Sequence, residues 1–175
     1  DSTLATHPAI ALPENGGDEA AFKEAFAVGQ ALLESGRVAC LVVAGGQGSR
    51  LGFDGPKGAF PLGPVTERSL FSIQAQKLRA LGKRVGRPVP WFVMTSPATD
   101  AATRSLFKQE DHFGLSENQV FIFSQATIPA WTFDGRLILE ARDRIFESPG
   151  GHGDTYTALS DSGALDRMEQ EGLDR

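Results

Sequence analysis

Val38 to Val43 is apolar at every position, and from Leu41 it breaks into LVVAGGQGSRLGFDGPKGAFPLG, a glycine-rich loop carrying one Arg and one Lys. A run without polar alternation predicts a strand covered on both faces, as in a parallel sheet with helices on either side. PWFVMT at 90–95 and VFIFS at 120–124 repeat the pattern. Helical periodicity fills the gaps. Phe22, Phe26, Ala27, Leu32 and Leu33 recur at helical spacing before Gly36, and Leu70, Ile73, Leu78 and Leu81 do so before Gly82, so each glycine is the expected helix stop. Ser96-Pro97 reads as an N-cap with proline at the first helical position, opening a helix through Phe107.

This alternation predicts an α/β fold with a mainly parallel sheet, whose ligands bind at the carboxyl ends of the strands. Residues 1–17, with Pro8, Pro13 and the Gly16-Gly17 pair, read as an irregular arm. Phe133-Asp134-Gly135-Arg136 is the expected turn of a small hairpin, followed by a second glycine cluster, PGGHGD at 149–154. Trp91 and Trp131 read as core and hairpin packing. His7 and His112 have no carboxylate or histidine partner at ligand spacing.

At 175 residues the chain suffices for one domain that buries about two-thirds of its unfolded surface. Its net charge of −5, with Lys and Arg scattered, argues against a nucleic-acid partner. No apolar run approaches the roughly 20 residues of a membrane span. Cys40 is the only cysteine and sits among apolar neighbours, which excludes an internal disulfide framework, points to packing rather than nucleophilic catalysis, and fits a reducing, cytoplasmic setting. No basic segment followed by an apolar one opens the chain, so no secretory signal is expected. Oligomeric state is left open.

Gly45, Gly46 and Gly48 suit backbone that must approach a ligand closely, because each forgoes side-chain packing and costs backbone entropy. Consecutive N–H groups in such a loop make a concave anion site. Arg50 adds a planar fork for phosphate oxygens, and Lys57, stiffened by Pro56, adds a compact charge. Two common nucleotide motifs fail on spacing. A dinucleotide fingerprint needs G-x-G-x-x-G, but three residues separate Gly48 from Gly52, and a P-loop needs Ser or Thr after Gly-Lys, whereas Lys57 follows Pro56 and precedes Gly58. A dinucleotide-dependent oxidoreductase also needs an acidic residue about 20 positions past its loop at a strand end. Asp100 is too far, and Glu67 is not at a strand end. A nucleotide-binding module without chemistry remains the other class that fits the loop.

The 41–63 stretch resembles the activation loop of the eukaryotic-type UDP-sugar pyrophosphorylases, whose pattern is A-G-G-x-G-T/S-R-L-G followed by a P-K pair. Within that family it is most similar to the UDP-N-acetylhexosamine branch. The likeness continues in matching order through SLFSIQAQKL, WFVMTS, HFGL, Gln125 with Pro129-Ala130, FDGRLILE and PGGHGDTYTAL, covering most of Arg37 to Leu159.

The resemblance implies a three-layer α/β/α Rossmann-like nucleotide-diphospho-sugar transferase domain, truncated at its C-terminus. Residues 1–36 would be an arm and helix, and residues 37–175 the nucleotide-binding part of the catalytic domain. The implied reaction joins UTP and a sugar 1-phosphate into UDP-sugar and pyrophosphate, with N-acetylglucosamine 1-phosphate the expected sugar. A broad-specificity UDP-sugar or UDP-glucose enzyme is the alternative.

The same resemblance puts Ala44, Gly45 and Gly46 at uracil and ribose, Gln47 among the nucleotide-binding residues, and Gly48, Ser49 and Arg50 at the UTP phosphates, with Arg50 toward the leaving pyrophosphate. Lys57 falls at the α-phosphate and the incoming sugar phosphate. Gln125, which from the residues alone also reads as a satisfied polar residue after a strand, aligns with a glutamine that reads uracil, and Gly151 with a glycine facing it. His152 stands where the hexosamine enzymes carry a substrate-binding Asn, and its GHGD setting is similar to broad-specificity relatives. The implied cofactor is Mg²⁺. Its aspartate is expected on a strand past residue 175, after the helix aligned with residues 155–172, so the isolated chain is expected to be inactive.

Overall fold

The computed structural model describes residues 9–63 and 65–173, so the expectations for Pro8 and His7 lie outside the described residues. Helix α1 (Glu19–Ser35) starts at Asp18, whose carboxylate accepts from the N–H groups of Ala20 and Ala21, and stops at Gly36 in the left-handed conformation. Strands β1 (Cys40–Val43), β2 (Trp91–Thr95) and β3 (Val120–Ser124) form a parallel sheet in that order, with Cys40 opposite Trp91 and Trp91 opposite Val120. Helix α2 (Leu70–Val85) connects β1 to β2, and α3 (Asp100–Gln109) connects β2 to β3.

Side chains alternate along the central strand and divide the interior in two. Trp91 and Val93 face α2 and α3, packing with Phe71, Ala75, Leu78 and Phe107. Phe92 and Met94 face the opposite side, where Phe123 packs with Ala158 and Leu159 of α4 (Thr155–Asp161) and Ala164 of α5 (Ala164–Gln170). Helix, sheet and helix therefore form three layers, the Rossmann-like α/β/α arrangement.

Several local expectations are corrected. β1 is an edge strand, with β2 its only sheet neighbour among the described residues, and Leu41 stays 39% exposed, although both faces are packed as expected, Cys40 and Val42 against one cluster and Val43 against the other. α2 runs through Gly82 and is capped by Gly86, whose N–H reaches the Gly82 carbonyl. The face of α2 that enters the core is Phe71, Ala75 and Leu78, with Leu81 packed at its margin, so the expected stripe holds at Leu78 and Leu81 and is replaced by Phe71 and Ala75 in the first half of the helix. Ser96 caps no helix. A turn through Pro97 and Ala98 delays α3 to Asp100, with Thr99 as the residue before it. Residues 155–172 divide into two helices at Gly163, whose φ is 76°. The apolar stripe of α1 is not buried, with Phe26 64% exposed. Trp131 is 61% exposed and so is no packing residue, although the turn at 133–136 forms as expected beneath a Trp131–Leu137 bridge.

A small β module follows the sheet. β4 (Thr127–Pro129) pairs antiparallel with β7 (Glu147–Pro149), and β5 (Leu139–Ala141) pairs with β6 (Arg144–Ile145) between them. The opposition of Thr127 and Pro149 matters most, because it returns the chain from β7 to the end of β3. The second glycine cluster thereby meets Gln125.

Candidate active site

A cleft of about 330 Å³ opens at the carboxyl ends of the strands. Val42 to Gly46 form its base, Lys57, Gly58, Phe71 and Gln74 line one side, and Gln125, Pro149, Gly151 and His152 complete it. Six of the expected residues beyond Ala44 thus come together from four separate segments: Gly45 and Gly46, Lys57, Gln125, and the Gly151-His152 pair. Gln47 and Ser49 instead line an adjoining depression with Asp54, Pro56 and Thr99. Arg50 is exposed on the short 3₁₀ turn Ser49–Leu51 and does not line the cleft.

The loop is held by its own backbone. Gly48 N–H donates to the Gly55 carbonyl and Lys57 N–H to the Gly46 carbonyl, pairing Gln47 with Pro56 as a tiny antiparallel bridge. Gly48 is consequently bonded inside the loop. Among the described residues no backbone carbonyl accepts from the N–H groups of Gly45, Gly46 or Gln47. Three successive donors without a backbone partner, beside an exposed lysine, form the kind of concavity that takes an anion.

Close approach explains two glycines here. A Cβ at Gly45 would lie 2.6 Å from Gln125 Nε2 and 3.2 Å from Ser96 Cβ. At Gly58 it would lie 2.2 Å from the Phe71 ring, so Lys57 is carried on a turn pressed flat against α2. Gly151, by contrast, is a glycine for its φ of 72°.

Gln125 is only 4% exposed, and its Oε1 is buried with no hydrogen-bond partner. Gln74 Oε1 is in the same condition in the same cleft. A buried acceptor left unpaired costs about 1–3 kcal/mol, which a ligand donor recovers. Gln74 escaped sequence reasoning because it is one polar residue on an amphipathic helix, and only the rotation of α2 brings it to the cleft. Among the described residues no Asp or Glu lines the cleft, so its lining does not make a magnesium site. Cys40 lies at the far end of β1, and burial pushes its thiol pKa up, keeping it protonated and unreactive.

Beneath the cleft Thr95 Oγ1 donates to Asp100 Oδ1 at 2.6 Å, and Arg104 pairs with Asp100 Oδ2 at 2.7 Å. Burial alone would raise the Asp100 carboxyl, but the hydrogen bonds from Arg104 and Thr95, together with the Arg104 charge, hold it below its ordinary value.

Parallel strands with glycine segments at their carboxyl ends define an α/β protein with a Rossmann-like layout. The chain belongs to the UTP–glucose-1-phosphate uridylyltransferase family, whose model matches residues 18–175. It is 42% identical over 150 residues to a protein of Schizosaccharomyces pombe named "Probable UDP-N-acetylglucosamine pyrophosphorylase", covering 81% of this chain and 32% of that one. The UDP-N-acetylglucosamine pyrophosphorylase of Saccharomyces cerevisiae is 35% identical over 154 residues, covering 86% of this chain and 32% of the yeast protein. The crystal structure of the Trypanosoma brucei UDP-N-acetylglucosamine pyrophosphorylase with an inhibitor superposes with a TM-score of 0.82 at 33% identity, over 94% of this chain and 35% of that one. The chain spans about a third of the length of these curated relatives.

Proposed function

We propose that this chain is the UTP-binding part of a uridylyltransferase that converts UTP and N-acetylglucosamine 1-phosphate into UDP-N-acetylglucosamine and pyrophosphate. The observation that carries it is the meeting of the glycine loop, Lys57, Gln125 and the Gly151-His152 pair in one cleft. The loop from Ala44 through Gln47, whose N–H groups at Gly45 to Gln47 have no backbone partner, receives the nucleotide, and the Lys57 ammonium receives its α-phosphate. The Gln125 amide pairs with the uracil edge, where its unpartnered Oε1 accepts the ring N–H. The sugar follows from the names of the relatives. His152, exposed at the cleft, takes the place of a substrate-binding Asn and can donate to a sugar hydroxyl.

The chemistry needs no protein nucleophile. A phosphate monoester dianion is itself the attacker, striking the α-phosphorus in line as pyrophosphate leaves, so the protein contributes positioning and charge stabilisation. Arg50 is assigned to the leaving pyrophosphate at the outer rim of the loop. Magnesium would neutralise phosphate charge, and its carboxylate ligands are assigned to protein past residue 175. Residues 37–175 are accordingly the nucleotide-binding part of a larger catalytic domain, preceded by the arm and helix at 1–36, in a cytoplasmic protein acting on small molecules.

Thermal shift with UTP and with NAD, each with and without Mg²⁺, tests the nucleotide assignment. UTP is expected to raise the melting temperature and NAD to leave it unchanged; a shift with NAD alone would sink the proposal. The chain by itself is expected to release no pyrophosphate from UTP and N-acetylglucosamine 1-phosphate.

A further inference from the structure

The first residue after β2, Ser96, is fully buried. Its Oγ donates to the Gly45 carbonyl at 2.8 Å. Its own hydroxyl is oriented in turn by Thr99, whose Oγ1 lies 3.1 Å from Ser96 Oγ and accepts from Ser96 N–H at 3.2 Å. Thr99 is buried as completely and makes no contact across the cleft. Two hydroxyls in sequence therefore converge on one carbonyl of the glycine loop.

We infer that Ser96 is a positioning residue that fixes the Gly45–Gly46 peptide so that the Gly46 N–H faces the nucleotide. In a planar trans peptide the C=O and the N–H point in opposite directions. Pinning the Gly45 carbonyl down onto Ser96 thus turns the Gly46 N–H up, on the side where Gly46 lines the cleft. The next peptide is pinned independently, by Lys57 N–H on the Gly46 carbonyl at 2.9 Å, which sets the Gln47 N–H. Both pins are needed because two successive glycines have little conformational preference of their own. A donor aimed in advance avoids the ordering cost that a flexible loop incurs on binding.

This inference rests on the nucleotide assignment, and the test separates the two. The chain is labelled with ¹⁵N-glycine, and Ser96→Ala is compared with wild type for the Gly46 amide signal, for UTP affinity by calorimetry, and for melting temperature. The expected result is a folded variant whose Gly46 signal moves or broadens while that of remote Gly135 stays, and whose Kd for UTP rises about tenfold. A folded Ser96→Ala chain that binds UTP like wild type, or whose Gly46 signal is unmoved, overturns the inference. If wild type fails to bind UTP, the nucleotide assignment falls and the inference falls with it, whatever the Gly46 signal does. If Ser96→Ala does not fold, Thr99→Val takes its place with an expected threefold loss, and wild-type behaviour in both readouts is then the overturning result.

Discussion

At the scale of single residues, Gln125 shows how ligand recognition opposes stability. Its buried Oε1 has no partner, so the ligand-free protein carries the desolvation cost of that atom. Gln125→Met, which keeps the volume and removes the orphan, is expected to raise the melting temperature by about 2–4 °C, corresponding to ~1 kcal/mol for a chain of this size. The same change is expected to weaken UTP binding about tenfold, as one hydrogen bond of ~1.4 kcal/mol is lost. Differential scanning calorimetry with and without UTP measures both, and a variant that melts lower yet binds UTP normally would refute the account. Residue identity made the loop legible in advance, through glycines too numerous for an ordinary turn and a lysine after proline, whereas Gln125 and the Gly151-His152 pair were legible only through the family resemblance. Gln74 and Ser96 were not legible for opposite reasons. Gln74 carried no signal beyond its helix, whereas the Ser96-Pro97 signal was real but ambiguous, since a serine before proline also suits a turn that delays the helix.

At the scale of elements, the strands and helices followed from apolar runs and periodicity, but their ends followed from hydrogen bonds that sequence does not display. Gly82 and Gly86 are both reasonable stops for α2, and the chain uses the second because Gly86 takes the left-handed conformation at φ 76°. After α3, Asp111, His112 and Phe113 all have positive φ before Gly114, a left-handed turn no local preference predicts. Phe113 accounts for it by packing at 5.1 Å from Phe107. The start of α3 depends on charge. Asp100 accepts from Thr95 and Arg104, and its carboxyl titrates below its ordinary value. A carboxyl depressed in the folded state stabilises the protein above its unfolded pKa, near 4, and that contribution is lost as pH falls through the lower folded value. Arg104 is about half exposed, so solvent screens the pair and the contribution is about 0.5–1 kcal/mol. Asp100→Asn is therefore expected to lower stability by that amount at pH 7 and by less at pH 2, read from urea unfolding at the two values. An equal loss at both would assign the effect to packing instead.

For the whole molecule, the decisive fact is that β2 supplies both interiors. Trp91 and Val93 belong to one cluster and Phe92 and Met94 to the other, and all four are essentially inaccessible. Loss of either cluster exposes one face of the same strand, so neither helical layer can leave the sheet without weakening the hold of the other. The larger cluster centres on Phe107, whose ring lies 5.1 Å from Phe71, 5.3 Å from Trp91 and 5.1 Å from Phe113. Phe107→Ala removes the shared member of these pairs and is expected to cost about 3–5 kcal/mol, a large share of the 5–15 kcal/mol typical of a domain. Unfolding should remain a single transition. Trp91 reports on this cluster, and Trp131→Phe removes the exposed second indole without touching the interior, leaving Trp91 fluorescence as a local probe. In that background, urea curves from Trp91 fluorescence and from far-UV circular dichroism, which also registers α4 and α5 on the opposite face, are expected to coincide. Phe107→Ala is expected to move both midpoints down together. A fluorescence transition that shifts while the dichroism curve stays would mean that the two faces of β2 unfold separately.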